Sequence, residues 1–455
     1  MLKIKRIFAL LLTTSFLTLF IPVSSFALQS SENCTFYKWF NPNTSDKEGK
    51  LLLKNCSSCH MSYYKEWKDD KHSMSQNNPF FLETYKQFRQ DHPNENGNCA
   101  LCHNPEAALD HELSVDLRET KNKKTNGVSC DFCHKIESID QNPLKQGVSG
   151  LNIVRPCKGF KDIRFGQIKD PIQPSDKEEL KYNSLYKTSL VCAKCHDGSN
   201  GNVQVYSTFT EWLNSPAAKR GVQCQSCHMQ PRNENKIVDN TNIKYKTRPY
   251  YEVHSHSFLT GNPHEFRKKY VNLKIETQRN KNTDKKNVIL VKVKVENNNF
   301  GHSFPTGSPM RNAVLVLDVK CKNKTGKTTL PLQIKGPRLS SYAGNLSGKP
   351  GKLFAKILAE TSSEYASQHS QAGILFRKIA GKLGIPAQDW WNVFIASDTR
   401  IKANEEDIST YGFETDNNCR ITAKLIWRNT WPGLAKLKGF MIQEDLLVKK
   451  IIELK

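Results

Sequence analysis

Cys56-Ser57-Ser58-Cys59-His60 opens a series that continues with Cys99-Ala100-Leu101-Cys102-His103, Cys130-Asp131-Phe132-Cys133-His134, Cys192-Ala193-Lys194-Cys195-His196 and Cys224-Gln225-Ser226-Cys227-His228. Two thiols separated by two residues can add to the two vinyl groups of one haem, and the histidine that follows then falls beneath the iron as its proximal ligand. Zinc sites also use paired cysteines at this spacing, but zinc does not require a histidine directly after every pair. With 13 histidines in 455 residues, a histidine after all five pairs is no coincidence. The motifs therefore predict five c-type haems, with His60, His103, His134, His196 and His228 as proximal ligands.

A chain of 455 residues is long enough for two or three domains, and its hydrophobic share is 37%. Lys3, Lys5 and Arg6, the apolar run Ile7 to Val23, and the small residues Ser25 and Ala27 read as an export signal over residues 1–27. The formal charge of +23 falls to +20 once that segment and its three cations are removed. Haem propionates would lower it further. A residual basic surface favours acidic redox-protein partners or an anionic membrane face, mainly by steering encounter, and an exported protein is not expected to meet nucleic acid. The expected location is the periplasm, with the cell surface as an alternative.

Outside the motifs remain Cys34, Cys157, Cys321 and Cys419, which an oxidising compartment would pair in one of three ways. Cys34–Cys157 with Cys321–Cys419 is favoured, because each pair then stays within one domain.

Internal repetition organises the rest. Tyr64-Lys65-Glu66-Trp67 is echoed by Phe209-Thr210-Glu211-Trp212, and the lead-in Gly127-Val128 before Cys130 by Gly221-Val222 before Cys224. Five residues after the first tryptophan stands His72, a candidate distal ligand; the second copy has Ala217. His256-Ser257-Phe258-Leu259-Thr260-Gly261 and His302-Ser303-Phe304-Pro305-Thr306-Gly307 agree at five of six positions. Their Thr-Gly endings mark turns that can hold a histidine against a distant haem. Residues 135–185 read as a long loop.

From about residue 268 the pattern alternates with many Val, Ile and Leu, over Lys269–Thr277, Asn287–Glu296, Arg311–Val319, Thr328–Lys335 and Arg420–Trp427. The expected fold class is α+β. A mostly helical and loop-rich haem domain over 28–267, with little regular core, precedes an antiparallel β-sandwich-like domain over 268–455, interrupted by a helical insertion near Ser370–Leu383. His369 is expected at the surface.

On the five motifs, the Tyr-x-x-x-Trp segment with His72, the Gly-Val-x-Cys lead-ins and the His-x-Phe-x-x-Gly elements, residues 50–310 resemble the multihaem cytochromes c related to the tetrahaem electron acceptor of hydroxylamine oxidoreductase. The sandwich looks like an extra domain of larger members. The resemblance implies that histidines outside the motifs are distal ligands, which transfers first to His72, His256 and His302, and next to His111 and His254. Ala217 then leaves one haem's ligation open.

Two functions follow. The leading one is an electron carrier, since eight further histidines can supply distal imidazoles, whereas methionines after Met1 number only five (Met61, Met74, Met229, Met310 and Met441). The other is a haem oxidoreductase acting on a small nitrogen or sulfur species at one open iron; no Cys-x-x-Cys-Lys variant is present. No catalytic residue is assigned. For a carrier, the sandwich is by default a docking module whose deletion spares the haem spectrum.

Overall fold

The computed structural model describes residues 39, 56–120, 127–239, 246–258, 262–281, 287–298, 300–322, 325, 327–331, 333–361 and 379–454. The expected signal, Cys34, His369 and most of the expected helical insertion lie outside them. Among the described residues no helix is long and apolar enough to cross a membrane.

The first half is built from short helices, several of which begin where an Asn or Ser precedes a proline. Asn78, Asn104, Ser215 and Asn262 each accept a backbone N–H with their side chain, and the proline after each fills the first helical position. That proline has no N–H to leave unpaired, and its φ is already helical. The elements used below are α1 (Met61–Lys68), α2 (Pro79–Asp91), α3 (Thr208–Leu213) and α4 (Pro263–Tyr270).

Residues 135–185, expected as one loop, contain two small ribbons. Ile136–Ile139 pairs antiparallel with Leu151–Ile153, and Asp162–Gly166 pairs parallel with Glu178–Tyr182. Their strands are three to five residues long, too short for an alternating pattern to stand out from its surroundings. The first half also has more side-chain core than its composition implied. Tyr85, Phe88, Leu101, Leu117, Phe132, Val148 and Leu151 bury one another between α2 and the second and third motifs.

The second half is an antiparallel sandwich of β1 (Val271–Lys281), β2 (Asn287–Asn297), β3 (Asn312–Lys322), β4 (Thr328–Thr329), β5 (Gly351–Phe354), β6 (Glu406–Glu414), β7 (Asn418–Arg428) and β8 (Glu444–Leu454). One sheet runs β6-β2-β1; the other runs β4-β3-β7-β8, with β5 also on β3. Ile289, Val291, Val293 and Val295 of β2 point from the first sheet onto Leu315, Leu317, Ile421, Ala423 and Leu425 of the second. Each fully buried aliphatic side chain contributes roughly 1.5–3 kcal/mol. Strand β3 reads Ala-Val-Leu-Val-Leu because both its faces are covered: Val314 and Val316 pack outward against Leu339 and Ala343. The strand expected over Thr328–Lys335 shrinks to two residues. Cys321 and Cys419 face each other on β3 and β7 and form a disulfide. Cys157 is disulfide-bonded as well; its expected partner, Cys34, lies outside the described residues.

The halves share packing. Val205 and Phe80 of the first half join Met310, Leu358, Trp391 and Trp431 in one apolar cluster. Trp390 and Trp391 both donate to the Asp91 carboxylate, at 3.0 and 2.9 Å.

Candidate haem sites

Each motif lies on a short helix or at its start: Cys56–Cys59, Ala100–His103, Cys130–Cys133, Leu190–His196 and Cys224–His228. All ten motif cysteines are unbridged, so their thiols are available for thioether bonds. The motifs also converge: the sulfurs of Cys56 and Cys130, of Cys102 and Cys195, and of Cys192 and Cys224 are close neighbours.

An imidazole ligates well when its other nitrogen is tied down, which fixes tautomer and ring orientation. Four of the motif histidines show this. His60 Nδ1 bonds the Ile237 carbonyl (2.7 Å), His103 Nδ1 that of Ser75 (2.8 Å), His134 Nδ1 that of Phe165 (2.7 Å) and His228 Nδ1 that of Phe258 (2.9 Å). These acceptors come from distant segments, each anchored locally. Asp239 holds the segment beside Ile237 by accepting from Ser62 N at 2.8 Å and donating its own N–H to the Cys59 carbonyl at 2.8 Å. Phe165 is steadied by a buried ionic cluster in which Arg164 reaches Asp131, Asp162 and Glu178, and Lys135 reaches Asp162.

The same arrangement recurs outside the motifs. His72 Nδ1 bonds Asp70 Oδ1 (2.9 Å), His254 Nδ1 the Met229 carbonyl (2.7 Å), His256 Nδ1 the His254 carbonyl (3.1 Å) and His302 Nδ1 the Ser303 carbonyl (3.1 Å). Burial holds the His103, His134 and His302 imidazoles below their ordinary range, and pushes His228 down to about 4 and His196 and His256 to about 3. These rings are therefore neutral, as a ligand must be.

Three of these rings stand opposite motif histidines. Ring centres are 6.0 Å apart for His72 and His196, 6.4 Å for His134 and His256, and 6.4 Å for His228 and His302. Two imidazoles on one metal ion put their centres roughly 6 Å apart, from about 2.0 Å per metal–nitrogen bond and about 1.1 Å from nitrogen to ring centre. The donor set, its tautomers and its spacings thus fit haem iron.

His254 is oriented like a ligand but faces no motif imidazole. His111 is exposed at the end of the helix Pro105–Asp110, and among the described residues its ring meets none of the five motif histidines. Among those residues no imidazole stands across from His60 or His103; His103 instead stacks on Phe81, centre to centre at 3.8 Å. Ala217, where a missing ligand was the concern, is buried, and its carbonyl accepts from Val222 N at 3.0 Å just as the His72 carbonyl accepts from Val128 N at 2.9 Å.

Sequence reasoning passed over Asp70, Glu66 and Glu211. Asp70 could have been noticed as an acid two residues before a candidate ligand. Glu211 accepts from Ser207 Oγ (2.6 Å), Thr306 Oγ (2.6 Å), Ser303 N (3.1 Å) and Arg400 Nη1 (2.5 Å). Burial alone would raise its carboxyl, but Arg400 and these donors outweigh burial and hold it at about 2, below its ordinary 4.5. Because the folded value is the lower one, this stability is present above pH 4.5 and is lost as the pH falls toward about 2. Acid unfolding followed by circular dichroism should show that limb, and Glu211→Gln should flatten it; an unaltered limb would take Glu211 out of the acid response.

A model of the family described as cytochrome c554 and c-prime matches residues 55–135 and 163–229, which span all five motifs. No curated protein matches. A penta-haem cytochrome c552 from Thermochromatium tepidum shares the fold at 20% identity and a TM-score of 0.62, over 88% of this chain and 97% of that one. The motifs, the family match across them and the shared fold together support a multihaem cytochrome c that binds c-type haem.

Proposed function

We propose that the protein is an exported electron carrier with five covalently bound haems, relaying electrons between redox-protein partners. The observation that carries this reading is the set of three opposed imidazole pairs at 6.0 to 6.4 Å, assigned here as axial ligand pairs: His196 with His72, His134 with His256, and His228 with His302. When bound, haem supplies a one-electron iron couple. The chain's own part would be to present imidazoles to the iron; the Nδ1 hydrogen bonds of His72, His134, His228, His256 and His302 make those rings more basic, which would favour ferric iron and a low potential. The cysteines of different motifs neighbour one another in three pairs, Cys56 with Cys130, Cys102 with Cys195 and Cys192 with Cys224, so the haems that they would hold would be neighbours suited to relay. The basic charge of the sequence favours acidic partners or a membrane surface, and residues 1–27 direct the chain to the periplasm or the cell surface.

His60 and His103 favour a second reading, a haem oxidoreductase with an open iron, because no imidazole opposes either among the described residues. Electron paramagnetic resonance of the oxidised protein, with carbon monoxide binding to the reduced form, separates the two. Low-spin signals throughout and no carbon monoxide binding are expected of the carrier. A high-spin signal with gas binding at one haem would transfer the reading to the oxidoreductase.

A further inference from the structure

The two aromatic-x-Glu-Trp segments sit in equivalent surroundings. On α1, Trp67 Nε1 donates to the Val128 carbonyl at 2.9 Å, in the lead-in to the third motif. On α3, Trp212 Nε1 donates to the Val222 carbonyl at 2.9 Å, in the lead-in to the fifth. Gly127 belongs to this contact, since a Cβ there would stand 2.5 Å from the His72 carbonyl and 2.4 Å from that of Ser73. Each tryptophan thereby seats one motif and its proximal histidine.

The glutamates act on the other side of the same two sites. Glu66 Oε2 accepts the His256 backbone N–H at 2.7 Å. Glu211 Oε2 accepts the Ser303 backbone N–H at 3.1 Å and the Thr306 hydroxyl at 2.6 Å. Each carboxylate is also met by one arginine, Arg232 for Glu66 (3.6 Å) and Arg400 for Glu211 (2.5 Å). These arginines are 400 − 232 residues apart in unrelated segments, one before the sandwich and one inside it, so the likeness is of geometry and not of local sequence. Thus one helix grips both halves of a histidine pair: α1 for His134 and His256, α3 for His228 and His302.

We propose that the Glu-Trp helix is a duplicated ligand-setting unit, in which Glu66 and Glu211 are positioning residues for the distal ligands His256 and His302. The proposal rests on the haem reading above. A backbone N–H held by a carboxylate fixes where the His-Ser-Phe element begins, and so where its imidazole comes to rest. Glutamine is a demanding substitute at residue 211, because the four groups facing the carboxylate all donate and an amide NH2 would oppose them.

The test is made on the full holoprotein with Glu66→Gln, Glu211→Gln and the milder Thr306→Val. Haem content by pyridine haemochrome comes first: fewer than five haems in the parent protein would sink the haem reading itself, separately from this proposal. With content intact, Glu66→Gln should weaken distal ligation at one haem and Glu211→Gln at another, by about 10- to 100-fold as read from carbon monoxide competition. Each should show a new high-spin signal that added imidazole removes, a rescue that mere loosening of the fold would not give. Thr306→Val should act at the same haem as Glu211→Gln, more weakly, and keeps the question answerable if Glu211→Gln loses haem. Unchanged low-spin spectra in Glu66→Gln and Thr306→Val, or equal effects on all haems, would overturn the proposal.

Discussion

Replacing His302 with methionine is expected to raise the potential of one haem by on the order of 0.1 V or more, since axial ligands move haem potentials across roughly 0.8 V and a thioether favours ferrous iron. The other four should stay in place, because His302 faces only His228 at ligand-pair distance. A spectroelectrochemical titration resolves the shift, and five unmoved potentials would remove His302 from the ligand set. The same residue changes what the sandwich is for. His302 lies between β2 and β3, and Asn297 at the end of β2 donates to its carbonyl at 3.0 Å and to that of Ile401 at 2.8 Å. Phe266 on α4 and Phe300 flank the pair, 5.2 Å from the His228 ring and 5.3 Å from the His302 ring. Deletion from residue 268 onward would therefore alter the haem spectrum, contrary to what a detachable docking module predicts.

Removing the disulfide by Cys321→Ala with Cys419→Ala is expected to cost about 4.7 kcal/mol in guanidinium unfolding, the loop-closure entropy of a bridge spanning this much chain. The bridge spans 98 residues and sits inside the sandwich core, with Cys321 and Cys419 almost fully buried. It ties the central strands of the larger sheet at the end away from His302, so haem spectra in native buffer should not change. A loss below about 1 kcal/mol would mean that sheet packing already confines the unfolded chain.

The motifs were legible because covalent chemistry dictates both residue type and spacing. Strands β2, β3 and β7 were legible because each has a buried face and an alternating or continuous apolar run. Strand β6 was not: its inward residues are Ser409, Tyr411 and Phe413, and a polar first member with Gly412 between the aromatics breaks the pattern. Strand β8 is an edge strand with Lys449 and Lys450 at its centre, a composition that guards an open edge and hides the strand. The repeats of Glu-Trp and His-Ser-Phe could be seen in the sequence, but not which copy meets which. That pairing spans 256 − 66 residues in one case and is decided only by folding.

Ala217 acquires a meaning once the two units are placed in order. His72, five residues beyond the first tryptophan, reaches out of its own unit to His196, the motif that opens the next. Ala217 holds the same place in the second unit, with the same carbonyl contact, and no third unit follows it among the described residues. At the other end His60 opens the first unit, and among the described residues no imidazole stands across from it. Stacked arrays of repeats end in members altered where a neighbour is missing. In those terms the alanine is a terminal cap, and the two units have a direction: on the proposed ligation the first hands His72 forward to the second, and the second, with Ala217, hands none on.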